Sequence, residues 1–262
     1  MKGLSLSHVV EIADQLFPFE EAEEWDNCGI QIGDIDKPIA SVAFSLDPTP
    51  QTVRFAADNS CDLLVTHHPL LLEPLKTVRS DHFTGRTILN AASAGVAILS
   101  MHTNLDAAPG GLNDYLAAAL GLSETQVPLP ARSARLGRLS EPATVHQLAA
   151  KIASDMSIDS VRVITHDDSE VSRVFVAAGS GMGYLHEARR HRAHVMVTGD
   201  VRYHAAREAM ELEMPLIDAG HFGLEKCAVS LLRRAFSQEF AKLSYDIDCF
   251  ECNTEQDPFQ PL

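Results

Sequence analysis

Basic residues are scarce in this chain: 21 Lys and Arg stand against 36 Asp and Glu, a formal charge of −15. A field of that sign opposes non-specific contact with DNA, RNA or an anionic membrane, so neither nucleic acid nor a membrane is expected as a partner. No apolar run approaches the ~20 residues of a transmembrane helix. Cysteines number five and are scattered, which fits a reducing compartment and not a disulfide framework. The start of the chain lacks a secretory leader pattern, and the cytoplasm is the expected location.

Other familiar signatures are missing too. Cys249-Phe250-Glu251-Cys252 has no second Cys-x-x-Cys to complete a four-ligand structural zinc site, so the pair reads as free thiols. Arg189-Arg190-His191-Arg192 is a local basic run and reads as a solvated helix end. Gly179-Ser180-Gly181-Met182-Gly183 follows a strand and precedes a helix, where an anion can sit on free amides, but its spacing departs from the dinucleotide pattern. Ala107-Ala108-Pro109-Gly110-Gly111 permits close backbone approach or a simple turn, and is no phosphate loop.

What the chain does have is a repeated chemical word. Val96-Ala97-Ile98-Leu99-Ser100-Met101 leads into His102-Thr103-Asn104-Leu105-Asp106, and Pro215-Leu216-Ile217-Asp218-Ala219-Gly220 leads into His221-Phe222-Gly223-Leu224-Glu225. In each, a histidine precedes a carboxylate by four positions, and on a helical turn such residues share a face. The repeat extends upstream: Val65-Thr66 followed by His67-His68 matches Val197-Thr198 followed by Gly199-Asp200, and Val42-Ala43-Phe44 matches Val174-Phe175-Val176. The order strand, helix, strand, Val-Thr, polar strand end recurs, which points to an internal duplication.

Hydrophobic periodicity gives the elements. Helices are expected at 6–17, 50–59, 82–94, 111–120, 144–156, 184–192, 202–210 and 224–237. Strands are expected at 29–33, 40–46, 63–66, 161–164 and 173–178, with further strands ending near Met101 and Thr198. Residues 123–135, rich in proline, serine and arginine, read as the junction, dividing the chain into halves at 1–128 and 129–262. The alternation predicts an α/β fold of two pseudo-symmetric halves with mainly parallel, buried strands, and 45% hydrophobic residues suffice to fill two cores.

In such sheets ligands bind beyond the carboxyl ends of strands, where His67, His68, His102, Asp106, Asp200, His221 and Glu225 fall. An apolar strand ending in two imidazoles has no packing motive. Imidazole with carboxylate suits zinc, iron, manganese, cobalt or nickel and disfavours calcium or magnesium. Asp26-Asn27 reads equally as a loop reaching the site or as an ordinary turn. Asp200 and His204, four apart at a strand end, read either as proton-transfer groups or as surface polar residues.

These motifs together resemble the Nif-three-like family, widely described as GTP cyclohydrolase 1 type 2 homologues. The resemblance rests on Glu24-Trp25-Asp26-Asn27-Cys28-Gly29, Thr66-His67-His68-Pro69-Leu70, His102 to Asn113, Thr198-Gly199-Asp200 with Tyr203-His204, and Asp218-Ala219-Gly220-His221 with Glu225, and it spans essentially the whole chain. It implies two divalent transition-metal ions per chain in the cleft between the halves, held by His67, His68, Asp106, His221 and a bridging Glu225. It also implies a ring-shaped homohexamer and a small-molecule or nucleotide substrate. Two ions about 3.5–4 Å apart generate hydroxide at neutral pH. With GTP as substrate that hydroxide would attack C8 of guanine and open the imidazole ring. His102 stands outside the implied ligand set and, with Asp200 and His204, is a candidate for proton transfer. The same ligands would also serve a phosphoesterase, or a non-catalytic carrier or regulatory metal-binding protein.

Overall fold

In a computed structural model the placement of residues 4–260 is described, so the outermost residues of the two expected halves, 1–3 and 261–262, lie outside the described residues. The chain forms two units. One runs through Ala108 and takes in Cys227–Glu255; the other holds Pro109–Lys226 and the residues from Gln256 onward. Each is a mixed sheet with helices, in keeping with the α/β class expected. No helix among the described residues is long and apolar enough to cross a membrane.

The sheet of the first unit has the strand order Asp248–Glu251, Ser41–Ser45, Leu63–Thr66, Ala97–Ser100, Gly29–Ile32. The first four run parallel and Gly29–Ile32 pairs antiparallel at one edge. Strands 41–45, 63–66 and 97–100 are buried throughout, as continuous apolar runs covered on both faces must be. Ala43, Val53, Ala56, Leu64, Ala91 and Ile98 form one of this unit's buried clusters. Fully burying each large aliphatic side chain contributes about 1.5–3 kcal/mol. Helix Pro50–Asp58 is entered through a capping box between Thr49 and Thr52, and helix Phe83–Ala94 ends on Gly95 in the left-handed conformation.

Register decides what this sheet presents. Ser45 lies opposite Thr66, and Thr66 opposite Ser100, so the three parallel strands end level with one another. The residues that follow them, Asp47, His67-His68 and His102, therefore emerge along one sheet edge. Gly29 pairs with Ser100, which brings the preceding Asp26-Asn27-Cys28 to that same edge.

The second unit repeats the device. Its strand order is Leu122–Gln126, Arg135–Thr144, Glu170–Val176, Val195–Thr198, Leu216–Asp218, Arg162–Ile164. The strands 170–176, 195–198 and 216–218 are parallel, with Thr198 opposite Asp218, and they deliver Gly179, Asp200 and His221 at their carboxyl ends. The other three pairings are antiparallel, so this sheet is not mainly parallel as expected. Its core gathers Leu136, Phe175, Leu185, Met196, Met214 and Leu216.

Among the elements that depart from the sequence reading are the strands Leu122–Gln126, Arg135–Thr144 and Asp248–Glu251. Within residues 123–135, expected as a connecting stretch, lies most of the strand Leu122–Gln126, whose exposed residues leave no apolar alternation to read. Its partner strand comes so close that a Cβ on Gly137 would lie 2.8 Å from the Cβ of Leu122. The segment bearing Cys249, to which the sequence reading assigns no element, forms a strand against Ser41–Ser45. Cys249 and Cys252 are free thiols, as expected.

Candidate metal centre

In the first unit three imidazoles converge. His67, His68 and His102 have ring centroids 5.0, 5.3 and 5.6 Å apart pairwise, and one nitrogen of each lies within 4.8 Å of the others. Every ring is held by its Nδ1. That atom lies 2.9 Å from the Met101 carbonyl in His67, 2.8 Å from Asp47 Oδ1 in His68 and 2.9 Å from Asp26 Oδ1 in His102. Carbonyls and carboxylates only accept, so Nδ1 is the donor in a neutral ring and Nε2 carries the lone pair. Outer oxygen partners of this kind orient metal-binding histidines and raise their basicity.

Asp106 lies 3.8 Å, through Oδ1, from Nε2 of the fully buried His67. A lone pair that faces a carboxylate is unfavourable unless a cation lies close to both. The two repeated words thus behave differently: His102 turns to Asp26, and its helical partner Asp106 turns to His67.

Asp26 anchors its side of the cluster. Besides His102 it accepts from the Thr103 amide at 3.0 Å and from the Cys28 thiol at 3.0 Å. Burial opposes its ionisation, but the His102 ring, Thr103 and Cys28 outweigh burial and hold the carboxyl well below the usual carboxylate range. Burial pushes the Cys28 thiol up to about 12, with the Asp26 carboxylate adding to the effect, so it stays a neutral donor. Of the two readings of Asp26-Asn27, the geometry places Asp26 at the histidine cluster, while Asn27 ties Leu71 through its carbonyl at 2.6 Å.

Glu255 supports Asp47. Its carboxylate accepts the amides of Leu46 and Asp47, both at 2.8 Å, and burial pushes its own titration above the usual range. Neither Asp47 nor Glu255 is evident from motif reading. The signal that could have found Asp47 is its position just past a strand end, level with His68.

In the second unit His221 lies between two carboxylates: Nδ1 is 2.8 Å from Asp200 Oδ2 and Nε2 is 2.8 Å from Glu225 Oε2. A neutral imidazole has one N–H, so acceptors at both nitrogens call for a proton or a metal ion on the second. Glu225 is buried at 3% exposure. The glycine-rich turn makes room for it: a Cβ on Gly179, at φ +58°, would lie 2.2 Å from Glu225 Oε1 and 3.3 Å from His221 Nε2. That explains one glycine of the run without an anion. His204 occupies the exposed first turn of helix Tyr203–Glu211 with its ring 5.3 Å from that of Tyr203, and belongs to no cluster of metal-capable side chains among the described residues.

The donor set fits a borderline transition metal: neutral imidazoles with Nε2 presented, carboxylates facing them, and outer oxygens behind.

Comparisons with known proteins identify the family. Residues 4–258 match the family model described as Duf34/NIF3 (NGG1p interacting factor 3). The GTP cyclohydrolase 1 type 2 homolog of Streptomyces coelicolor is 35% identical over 231 residues, 84% of this chain and 81% of that one. Its counterpart in Clostridium acetobutylicum is 26% identical over 265 residues, 98% of this chain and 99% of the relative. Among solved structures, the Staphylococcus aureus hypothetical protein SA1388 superposes with a TM-score of 0.92 at 25% identity, covering 100% of both chains.

Proposed function

Because the chain belongs to the Duf34/NIF3 family, we propose that it is a dinuclear metal-dependent hydrolase of the GTP cyclohydrolase 1 type 2 kind. The ligands proposed for its metal ions are His67, His68, Asp106, His221 and Glu225. Two divalent ions per chain, drawn from zinc, iron, manganese, cobalt or nickel, would acidify water and polarise the bond under attack. The observation that carries the reading is the arrangement, in each unit, of an imidazole fixed at Nδ1 with its Nε2 turned towards a carboxylate.

The remaining side chains supply position and proton movement. Asp26 fixes His102 with Nε2 on the histidine cluster, where it takes or returns a proton and Asp26 stabilises the imidazolium form. Asp200 orients His221. His204, on an exposed turn, would act only on the outer part of a substrate. GTP is the first substrate to try, with hydrolytic opening of the guanine imidazole ring at C8 as the reaction. A cytoplasmic homohexamer is the proposed assembly.

A carrier role is the second reading, favoured by the partial exposure of the His68 and His221 side chains, at 20% and 32%. Metal-loaded protein should be incubated with a nucleotide and metabolite panel, with products identified by mass spectrometry. Many turnovers per chain, abolished by chelator and restored by metal, support the hydrolase. No turnover, together with rapid delivery of metal to an apo-acceptor, replaces it with the carrier.

A further inference from the structure

Asp200 is one of the non-glycine residues with positive φ, at +55°. An L-residue in that region sits about 1–2 kcal/mol above its relaxed backbone, although aspartate tolerates it better than most. Something must hold it there, and the neighbouring contacts show what does. Asp218 ends its strand directly opposite Arg162 in antiparallel register. Its carboxylate is 2% exposed and is engaged by the Arg162 guanidinium. It also accepts the Val201 amide at 3.3 Å through Oδ2 and the Gly220 amide at 3.1 Å through Oδ1. Arg162 Nη2 in turn donates to the Val201 carbonyl at 3.2 Å.

The N–H and C=O of Val201, the residue after Asp200, are therefore both taken by one ion pair. The same carboxylate holds Gly220, the residue before His221. Gly199 completes the fit, because a Cβ there would lie 2.6 Å from the His221 backbone nitrogen. Each partner in the 2.8 Å contact between Asp200 and His221 is thus fixed through its chain neighbour by Asp218.

We infer that the Arg162–Asp218 pair is a positioning clamp: it locks Asp200 in the left-handed conformation against Nδ1 of His221, so that His221 presents Nε2 to a ligand. Neither residue touches the proposed ion. The clamp rests on the proposed metal reading only for its last consequence, the affinity for metal. A guanidinium suits the task because it donates in one plane to both the carboxylate and the peptide carbonyl, which a lysine ammonium does less well.

The test uses metal-free, full-length protein carrying Glu225→Ala, which removes the competing carboxylate at Nε2, labelled with 15N-histidine, in alkaline buffer where imidazoles are neutral. Long-range 1H–15N spectra report the tautomer of His221, assigned with a sample that also carries His221→Ala. Glu225→Ala alone should show the Nδ1–H form. In that background Arg162→Met and Asp218→Asn should shift His221 towards a mixture with Nε2–H, as Asp200→Ala does when the acceptor itself is removed. Arg162 is 65% exposed, so Arg162→Met carries the test if Asp218→Asn fails to fold. The same two substitutions, with Glu225 retained, should raise the apparent dissociation constant for Co2+ about 10–100-fold. An unchanged Nδ1–H form in the folded variants overturns the clamp. A changed tautomer with unchanged Co2+ affinity leaves the clamp standing and removes His221 from the metal site.

Discussion

Glu225 lies directly over Gly179: a side chain at position 179 would place its Cβ 2.2 Å from the Glu225 carboxylate. Gly179→Ala therefore has two consequences, a left-handed backbone that alanine resists by roughly 1–2 kcal/mol and a displaced Glu225. Chemical denaturation should show that loss of stability, and competition with a chelating dye should show weakened metal binding. Gly183→Ala is the control, since a Cβ there meets nothing within 4 Å. Equal behaviour of the two variants would refute the close-packing argument.

The Asp26–His102 contact predicts a different phenotype. Asp26→Asn keeps the size of the side chain but removes the charge that fixes His102 and supports its imidazolium form. Turnover should fall about 100-fold, at the low end of general acid–base effects, while metal content stays near that of the wild type. Elemental analysis beside steady-state kinetics checks both halves of this expectation. A variant that loses its metal instead would make Asp26 part of ion retention and not of proton movement.

Much of this arrangement was legible in the sequence, for a physical reason. Strands such as Leu63–Thr66 are short apolar runs, and a buried parallel strand can only place polar residues at its ends, so His67 and His68 announced themselves. The repeated histidine-to-acid spacing likewise marked His102, Asp106, His221 and Glu225. Residues that act by holding others stayed hidden: Asp47, Arg162 and Glu255 are ordinary charged residues whose partners lie far away in sequence, and Asp218, though part of a motif, gave no sign of its pairing with Arg162. The strand Asp248–Glu251 is half-buried and carries no apolar alternation, so its pairing with Ser41–Ser45 depends on contacts remote in the chain.

Stability should depend on pH through Asp114. Burial raises its titration, but the Arg135 guanidinium and the Gly110 amide outweigh burial and hold it below the ordinary carboxylate range. A carboxyl lowered in the folded state contributes stability that is present above its unfolded value and is lost as pH falls through the folded one. Asp114→Asn should cost about 2 kcal/mol at neutral pH, less than for a fully enclosed pair because the Asp114 side chain is 33% exposed. Urea unfolding across acid pH should show a flatter decline in the variant than in the wild type. Parallel acid limbs would mean that Asp114 is not a source of the acid sensitivity.

Metal stoichiometry tests the proposed ligand set most directly. If five side chains hold two ions and Glu225 serves both, its loss must be felt at both, whereas Asp106 serves one. Wild-type protein should then carry two transition-metal ions per chain, Asp106→Ala should keep at least one, and Glu225→Ala should lose more than one. His102→Ala should keep most of its metal, because the proposal gives His102 a proton and not an ion. Elemental analysis after gel filtration in metal-buffered solution separates these cases. The contact between Glu225 and His221 adds an internal check: with Glu225 gone, His221 keeps Asp200 at Nδ1 but loses the carboxylate at Nε2. Residual metal bound by Glu225→Ala should therefore come from the first unit's histidines, and adding His68→Ala should remove it. Full metal content in Glu225→Ala would end the assignment of Glu225 to both ions.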